Sequence, residues 1–362
     1  MVYAWGLVRT TCAIGSVWGD CAPGSRMDRR LFLAAGACSA VSASTLLTAQ
    51  AQPAAPFADA LRYSAERGGA GVLIVRHGII MAEDYAAGRP DTRWPIGAGT
   101  RVFAPLLAAS LADDRLLNLD EPVAFTLGDW GAHPVKSTIS IRALLSGTSG
   151  IGFGRRDART LEAALMLEPV DSPGIRFIDD AAAYILFTEI ARRKLLGAGG
   201  ETDPARYLTT RTLLPIGCVP IGWTRSADGA PYLDDGAAVS ARGWAQVGEL
   251  IRREGVWRAQ RLADDNVLRE AVRGSFAESR AGFGLWLAAP ARSRDELGID
   301  SDLWRANSPA PTDLAMAAGA GGQRLYFSTT TGIVIVRQAQ SLAPDQNWSD
   351  AQFLSLVWRG LA

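Results

Sequence analysis

The two ends of this chain carry the same unit in mirror order, and that symmetry limits the available folds more than any other feature. Near the start, Phe57, Leu61 and Ala65 recur four apart and run into Gly68-Gly69, a spacing that predicts a helix with a glycine stop. The segment "AGVLIVRHGIIMAEDYA" follows, two apolar runs joined by Arg76-His77-Gly78, and predicts a β-hairpin. Near the end, "QRLYFSTTTGIVIVRQA" predicts a second hairpin turning at Thr331-Gly332. Ser349 and Gln352 then stand at capping-box spacing ahead of a last helix with Phe353, Leu356 and Val357 on one face. A lone hairpin cannot cover its own apolar side chains. The expected solution is one antiparallel sheet built from both termini and flanked by helices, an α+β sandwich.

From about residue 98 to about residue 281 the signals change to mostly helix and loop, with helices expected over 101–114, 140–146, 158–167, 180–196 and 240–253. They make a large, mainly helical insertion. The sheet subdomain is accordingly expected over about 52–97 and 282–362, and the helical subdomain over about 98–281. Thirty-seven basic and thirty-seven acidic side chains cancel, which removes the long-range field that draws a protein to nucleic acid or to an anionic membrane. Two histidines, His77 in the predicted turn and His133 before Pro134, are too few for a histidine-based metal site, and neither a metal nor a cofactor is expected.

Residues 27–51 read as a leader. "MDRRLFLAAGACSAVSASTLLTAQA" pairs Arg29 with Arg30, continues through Phe32-Leu33 and small apolar residues, and ends in Ala49-Gln50-Ala51. That order predicts a twin-arginine export signal and a periplasmic or secreted protein, without stable membrane insertion once the signal is removed. Residues 1–26 are then an upstream extension and residues 52–362 the mature domain. A buried helix that happens to follow two arginines is the alternative. Cys12, Cys21 and Cys38 precede the mature domain, which keeps Cys218 alone and so has no internal disulfide; in "LLPIGCVP" that thiol is expected to be buried and structural.

Several segments, taken in order, carry a family resemblance: "ADDRLLNLDEPV" at 112–123, "STISIRALLSGTSGI" at 137–151, "PGIRFIDDAAAYILFTEIARRKL" at 173–195, "VSARGWAQVGELIRREGVW" at 239–257, "GFGLW" at 282–286 and "GAGGQRLY" at 319–326. Together they resemble the serine β-lactamase and penicillin-binding-protein superfamily, in particular its class C β-lactamase, family VIII esterase and 6-aminohexanoate-dimer hydrolase branch. The resemblance spans nearly all of the mature chain and implies the β-lactamase/transpeptidase-like fold. It also implies a Ser-x-x-Lys motif opening a helix, in which the serine attacks a carbonyl and the lysine helps to remove its proton. A tyrosine on a neighbouring loop is the partner base, and the serine's own N–H forms half of the oxyanion hole.

Counting back from Leu119-Asp120-Glu121-Pro122 puts the serine position at Ala98 and the lysine position at Arg101, and "RFIDDAAAY" puts the tyrosine position at Asp179. Alanine has no attacking atom, and a guanidinium cannot act as a base at neutral pH. No other register restores the motif: the only two lysines, Lys136 and Lys194, have His133 and Ala191 three residues before them. Ser149 in "GTSGI" is a near miss to Gly-x-Ser-x-Gly and is expected to be a turn residue, and Ser110 a back-bonded core serine. Pro105 falls four residues after Arg101 inside the predicted helix and is expected to bend it.

Arg101 and Asp179 are expected to pair across the former active site, the alternative being that both face solvent independently. Arg101, Asp179, Gly321, Gly322 and Gln323 are the ligand-binding candidates, with Trp94, Trp130 and Trp286 suggested by position alone, and the expected ligand is a small carboxylate, peptide or amide held by Arg101. Three functions stay open: a silent, ligand- or partner-binding member of the fold; a hydrolase of small esters or amides with a displaced nucleophile or an Asp179-activated water; and a scaffold with a closed cleft.

Overall fold

Both hairpins form, and their turns show why. Strand β1 (Gly69–Arg76) passes through His77-Gly78 into β2 (Ile79–Asp84). Both turn residues have positive φ, 51° and 80°, as a two-residue type I′ hairpin needs. A short strand β3 (Trp286–Leu287) leads to β4 (Ala315–Gly319), β5 (Gln323–Ser328) and β6 (Ile333–Ala339). In the computed structural model, which describes residues 55–154, 159–219, 221–290, 297–299, 301–305, 307–343 and 347–362, these strands form one sheet in the order β2-β1-β6-β5-β4-β3. The leader-like segment with Cys12, Cys21 and Cys38 lies outside the described residues. Every neighbouring pair in the sheet is antiparallel, and β1 from the first hairpin meets β6 from the second with Leu73 opposite Val336 and Ile74 opposite Ile335.

The period of two along these strands sorts the core into two layers. Val72, Ile74, Ile333, Ile335, Tyr326 and Met316 meet Phe57 and Ala60 of helix α1 (Ala58–Ala65) and Phe353, Leu354 and Val357 of the last helix. Leu73, Val75, Val334, Val336, Leu325 and Phe327 face the other way, into the larger core with Trp244, Val247 and Leu250. A sheet apolar on both faces must be covered on both.

The helical region supplies α2 (Phe103–Asp113), α3 (Ala181–Gly197) and α4 (Ala241–Arg252), and α5 (Asp350–Leu361) closes the chain. Helix α2 is buried on every side from Phe103 to Leu111, which explains why its sequence shows almost no polar face. Shorter helices at Ile141–Leu145 and Leu161–Leu165 fall in the stretches where the periodicity puts them.

Three expectations are corrected. Helix α4 lies in the segment assigned to the helical subdomain, yet its Gly248 sits so close to Leu325 and Val334 that it belongs to the sheet's own covering layer; its apolar stripe finds the sheet face that α1 and α5 leave open. Pro105 does not bend a helix. Residues Gly97–Val102 form a 3₁₀ turn that runs directly into the α-helix at Phe103, so the N–H that Pro105 lacks is accommodated by this tightened first turn. Ser349 does cap α5, accepting the Gln352 N–H at 3.0 Å, but the Ser349 N–H goes to the Tyr63 hydroxyl at 3.1 Å instead of to the Gln352 side chain.

Candidate functional site

The 3₁₀ turn that opens α2 carries the candidate site. With three residues per turn, positions three apart stack on one face, so Ala98 and Arg101 project together while Gly97, Gly99, Thr100 and Val102 are buried. Thr100 fixes the turn, its hydroxyl donating to the Gly97 carbonyl at 2.6 Å and accepting the Ala237 N–H at 3.0 Å. The turn packs against β4, so the exposed face of Ala98 and Arg101 looks into a cleft of about 280 Å³ between the helical region and the sheet edge. Asp179, Trp286, Trp348, Gly321 and Gly322 complete its wall.

Asp179 comes from the residue before the N-cap of α3. Asp180 is that cap, accepting the Ala182 N–H at 2.8 Å and the Gly154 N–H at 3.2 Å. The cap turns the neighbouring Asp179 towards Arg101, and the two side chains form an ion pair through Nη1 and Oδ1, with 16% and 23% of their surfaces exposed. Arg101 also lies over the ring of Tyr184, 5.0 Å from its centre. Burial works against the Arg101 charge, but Tyr184, Asp179 and Asp234 more than offset it and hold the guanidinium above its usual range. Burial pushes the Tyr184 phenol up, so the one tyrosine beside Arg101 stays protonated at neutral pH.

Gly321 and Gly322 line the cleft, and their positive φ values of 69° and 76°, with a Cβ at either meeting Ser341 O or Arg337 Nη1, account for two consecutive glycines without a ligand. Gln323 is a correction. Its side chain is buried and spent on the Ala339 backbone, donating to the carbonyl at 3.0 Å and accepting the N–H at 3.1 Å, so it ties β5 to β6 and does not face the cleft. Of the three tryptophans, Trp286 lines the cleft. Trp94 pairs with Val239 in a small sheet elsewhere, and Trp130 is buried with its Nε1 donating to the Leu165 carbonyl at 3.2 Å; neither lines the cleft. Neither lysine is present there either: Lys136 is bound to Glu168 at 3.1 Å and Lys194 to Glu121.

The remaining nucleophile candidates are held in structural roles. Ser110 donates to the Leu106 carbonyl at 2.8 Å, and Ser149 is buried and accepts the Ile151 N–H at 3.2 Å. Cys218 is fully buried, and burial pushes its thiol up to about 12. Tyr184, Trp348 and Asp234 were not singled out from the sequence. For Tyr184 a signal existed, since it follows Asp179 by five residues at the start of a helical pattern. Asp234 reaches the site through a non-local strand pairing that spacing does not reveal.

A family model described as Beta-lactamase matches residues 54–354. The chain belongs to the beta-lactamase family. No curated protein matches it in sequence. Among solved structures it is similar to a penicillin-binding-protein homologue from Caulobacter crescentus, with 15% identity, a TM-score of 0.64, and coverage of 84% of this chain and 96% of that one. It is likewise similar to a family VIII carboxylesterase, with 16% identity, a TM-score of 0.63, and coverage of 84% and 96%. EstCE1, a hydrolase with promiscuous acyltransferase activity, matches at 16% identity with a TM-score of 0.64, covering 84% of this chain and 97% of its own. At these identities the likeness establishes the β-lactamase/transpeptidase-like fold, with its antiparallel sheet and flanking helices.

Proposed function

We propose that this chain is a catalytically silent member of the beta-lactamase family, exported through its leader-like segment, which uses the cleft beside Ala98 to bind a small ligand without turning it over. The observation that carries this reading is the Arg101–Asp179 ion pair, formed by the two residues that the sequence resemblance aligns with the family's lysine and tyrosine. A nucleophile is missing at Ala98, and both groups that would have activated one neutralise each other. The pair also argues against a water-activating role for Asp179, because its Oδ1 is already taken by the Arg101 guanidinium. The cleft stays open, which disfavours a closed scaffold.

The test is an intact mass of the purified protein after incubation with a fluorophosphonate and, separately, with a penicillin. Neither reagent is expected to add mass. An adduct mapping to one serine would overturn the silent reading and name the displaced nucleophile.

A further inference from the structure

Three consecutive apolar side chains stand in the open on the outermost strand of the sheet. Ile79, Ile80 and Met81 of β2 are 67%, 47% and 45% exposed, and among the described residues they are the only such run of large apolar side chains. Apolar residues exposed singly are ordinary on a protein surface, whereas a contiguous run marks a surface that something else covers. We infer that β2 seats a second copy of this chain, whose own β2 lies antiparallel along it about a two-fold axis, so that the two sheets continue as one.

The two edges of the sheet are treated differently. At β3 the chain closes its own edge: the Leu287 N–H donates to the Arg280 carbonyl and the Leu287 carbonyl accepts the Trp304 Nε1–H, both at 2.8 Å. At β2 the inner side pairs with β1 from Ile79 to Asp84, and no hydrogen bond among the described residues reaches the outer side. The strand is nevertheless held in place, because Arg242 of α4 grips Glu83 at 2.7 and 3.1 Å. An ordered, unpaired edge with apolar side chains is a template for another strand.

The charges at its ends choose the occupant. Directly opposed residues of a sheet share a face, so the pairs Arg76 with Ile79 and Val72 with Asp84 put Arg76 and Asp84 on the face that α1 and α5 cover. Neither has an ion-pair partner among the described residues. The edge thus reads as a cation at the hairpin turn, an apolar middle, and an anion at the far end. Laid parallel, two copies would set like charges together. Laid antiparallel about a two-fold axis, Ile79, Ile80 and Met81 meet their own images, and each Arg76 comes to the partner's Asp84. The surface is its own complement. A bulge leaves Met81 without an opposite residue in β1 and interrupts the strand's regularity. A six-residue strand broken in this way makes a small interface, so the dimer is expected to depend on concentration.

The test is sedimentation velocity of the full chain across about a hundredfold range of concentration in the micromolar regime, where interfaces of this size associate. A shift from monomer to dimer is expected. Ile80→Lys should weaken the dimer at least tenfold, and Asp84→Arg, which sets two arginines together at both ends, at least several-fold. Adding Arg76→Asp to Asp84→Arg exchanges the charges and should restore most of the loss, a recovery that a misfolded variant would not show. A monomer at every concentration, a dimer that Ile80→Lys leaves unchanged, or a charge exchange that restores nothing would each overturn the inference.

Discussion

Asp234 is the residue at which the site should be most sensitive to pH. Burial and the neighbouring Asp235 carboxylate push its carboxyl from an ordinary value near 3.8 up to about 6, with Arg101 and Arg159 pulling the other way. For an acid raised in the folded state, the native protein holds a proton that the unfolded chain has already lost, so stability falls as pH rises between those two values. Below about 4 the group contributes no cost, and above about 6 it contributes all of it. Asp234→Asn, which cannot ionise, should flatten the stability profile between pH 4 and 6 and raise stability at pH 7 by on the order of 1–3 kcal/mol. Urea midpoints of the two proteins across that range measure this directly. If the variant is less stable at pH 7 and keeps the wild-type slope, the Asp234 charge is stabilising through Arg101. This residue also shows where sequence reasoning stops: Ala98, Arg101 and Asp179 are found by counting from local motifs, whereas Asp234 enters the site through the pairing of Ala237–Val239 with Trp94–Pro95.

Elements were legible where their periodicity is local and opaque where a distant partner decides. The His77-Gly78 and Thr331-Gly332 turns and the five terminal and central helices follow from patterns within one window. The placement of α4 on the sheet does not, because a helix's apolar stripe says that it is buried and not against what. The cap of α5 is the sharpest instance. Its sequence reads as a reciprocal box, but Tyr63, nearly three hundred positions earlier in the chain, takes the Ser349 N–H. Only the Ser349 half should therefore carry energy. Ser349→Ala is expected to cost about 1–2 kcal/mol, since its hydroxyl accepts from Gln352 and donates to Asp302. Gln352→Ala should change stability by less than about 0.5 kcal/mol. Equal losses in the two urea midpoints, at unchanged slope, would mean that the box closes through Gln352 after all.

At the scale of the whole molecule, the proposed function separates the scaffold from the chemistry. The sheet and its flanking helices are those of the beta-lactamase family, and on the proposed reading the difference lies in three side chains, at Ala98, Arg101 and Asp179. If the loss is confined to them, putting the family's residues back should restore acylation, but the order of restoration matters. In Ala98→Ser/Arg101→Lys the new lysine would sit beside Asp179 with Asp234 behind it, and two carboxylates would hold its ammonium charged. A charged lysine cannot take the serine proton. That double variant should therefore gain penicillin mass slowly or not at all, whereas adding Asp179→Tyr, which removes the nearer carboxylate and returns the family's phenol, should speed the adduct at least tenfold. Intact-mass time courses of the two proteins decide the matter. Equal rates would show that Asp179 does not govern the lysine's charge. An unreactive but folded triple variant would show that the 3₁₀ turn, with α2 beginning only at Phe103, no longer presents position 98 to a carbonyl.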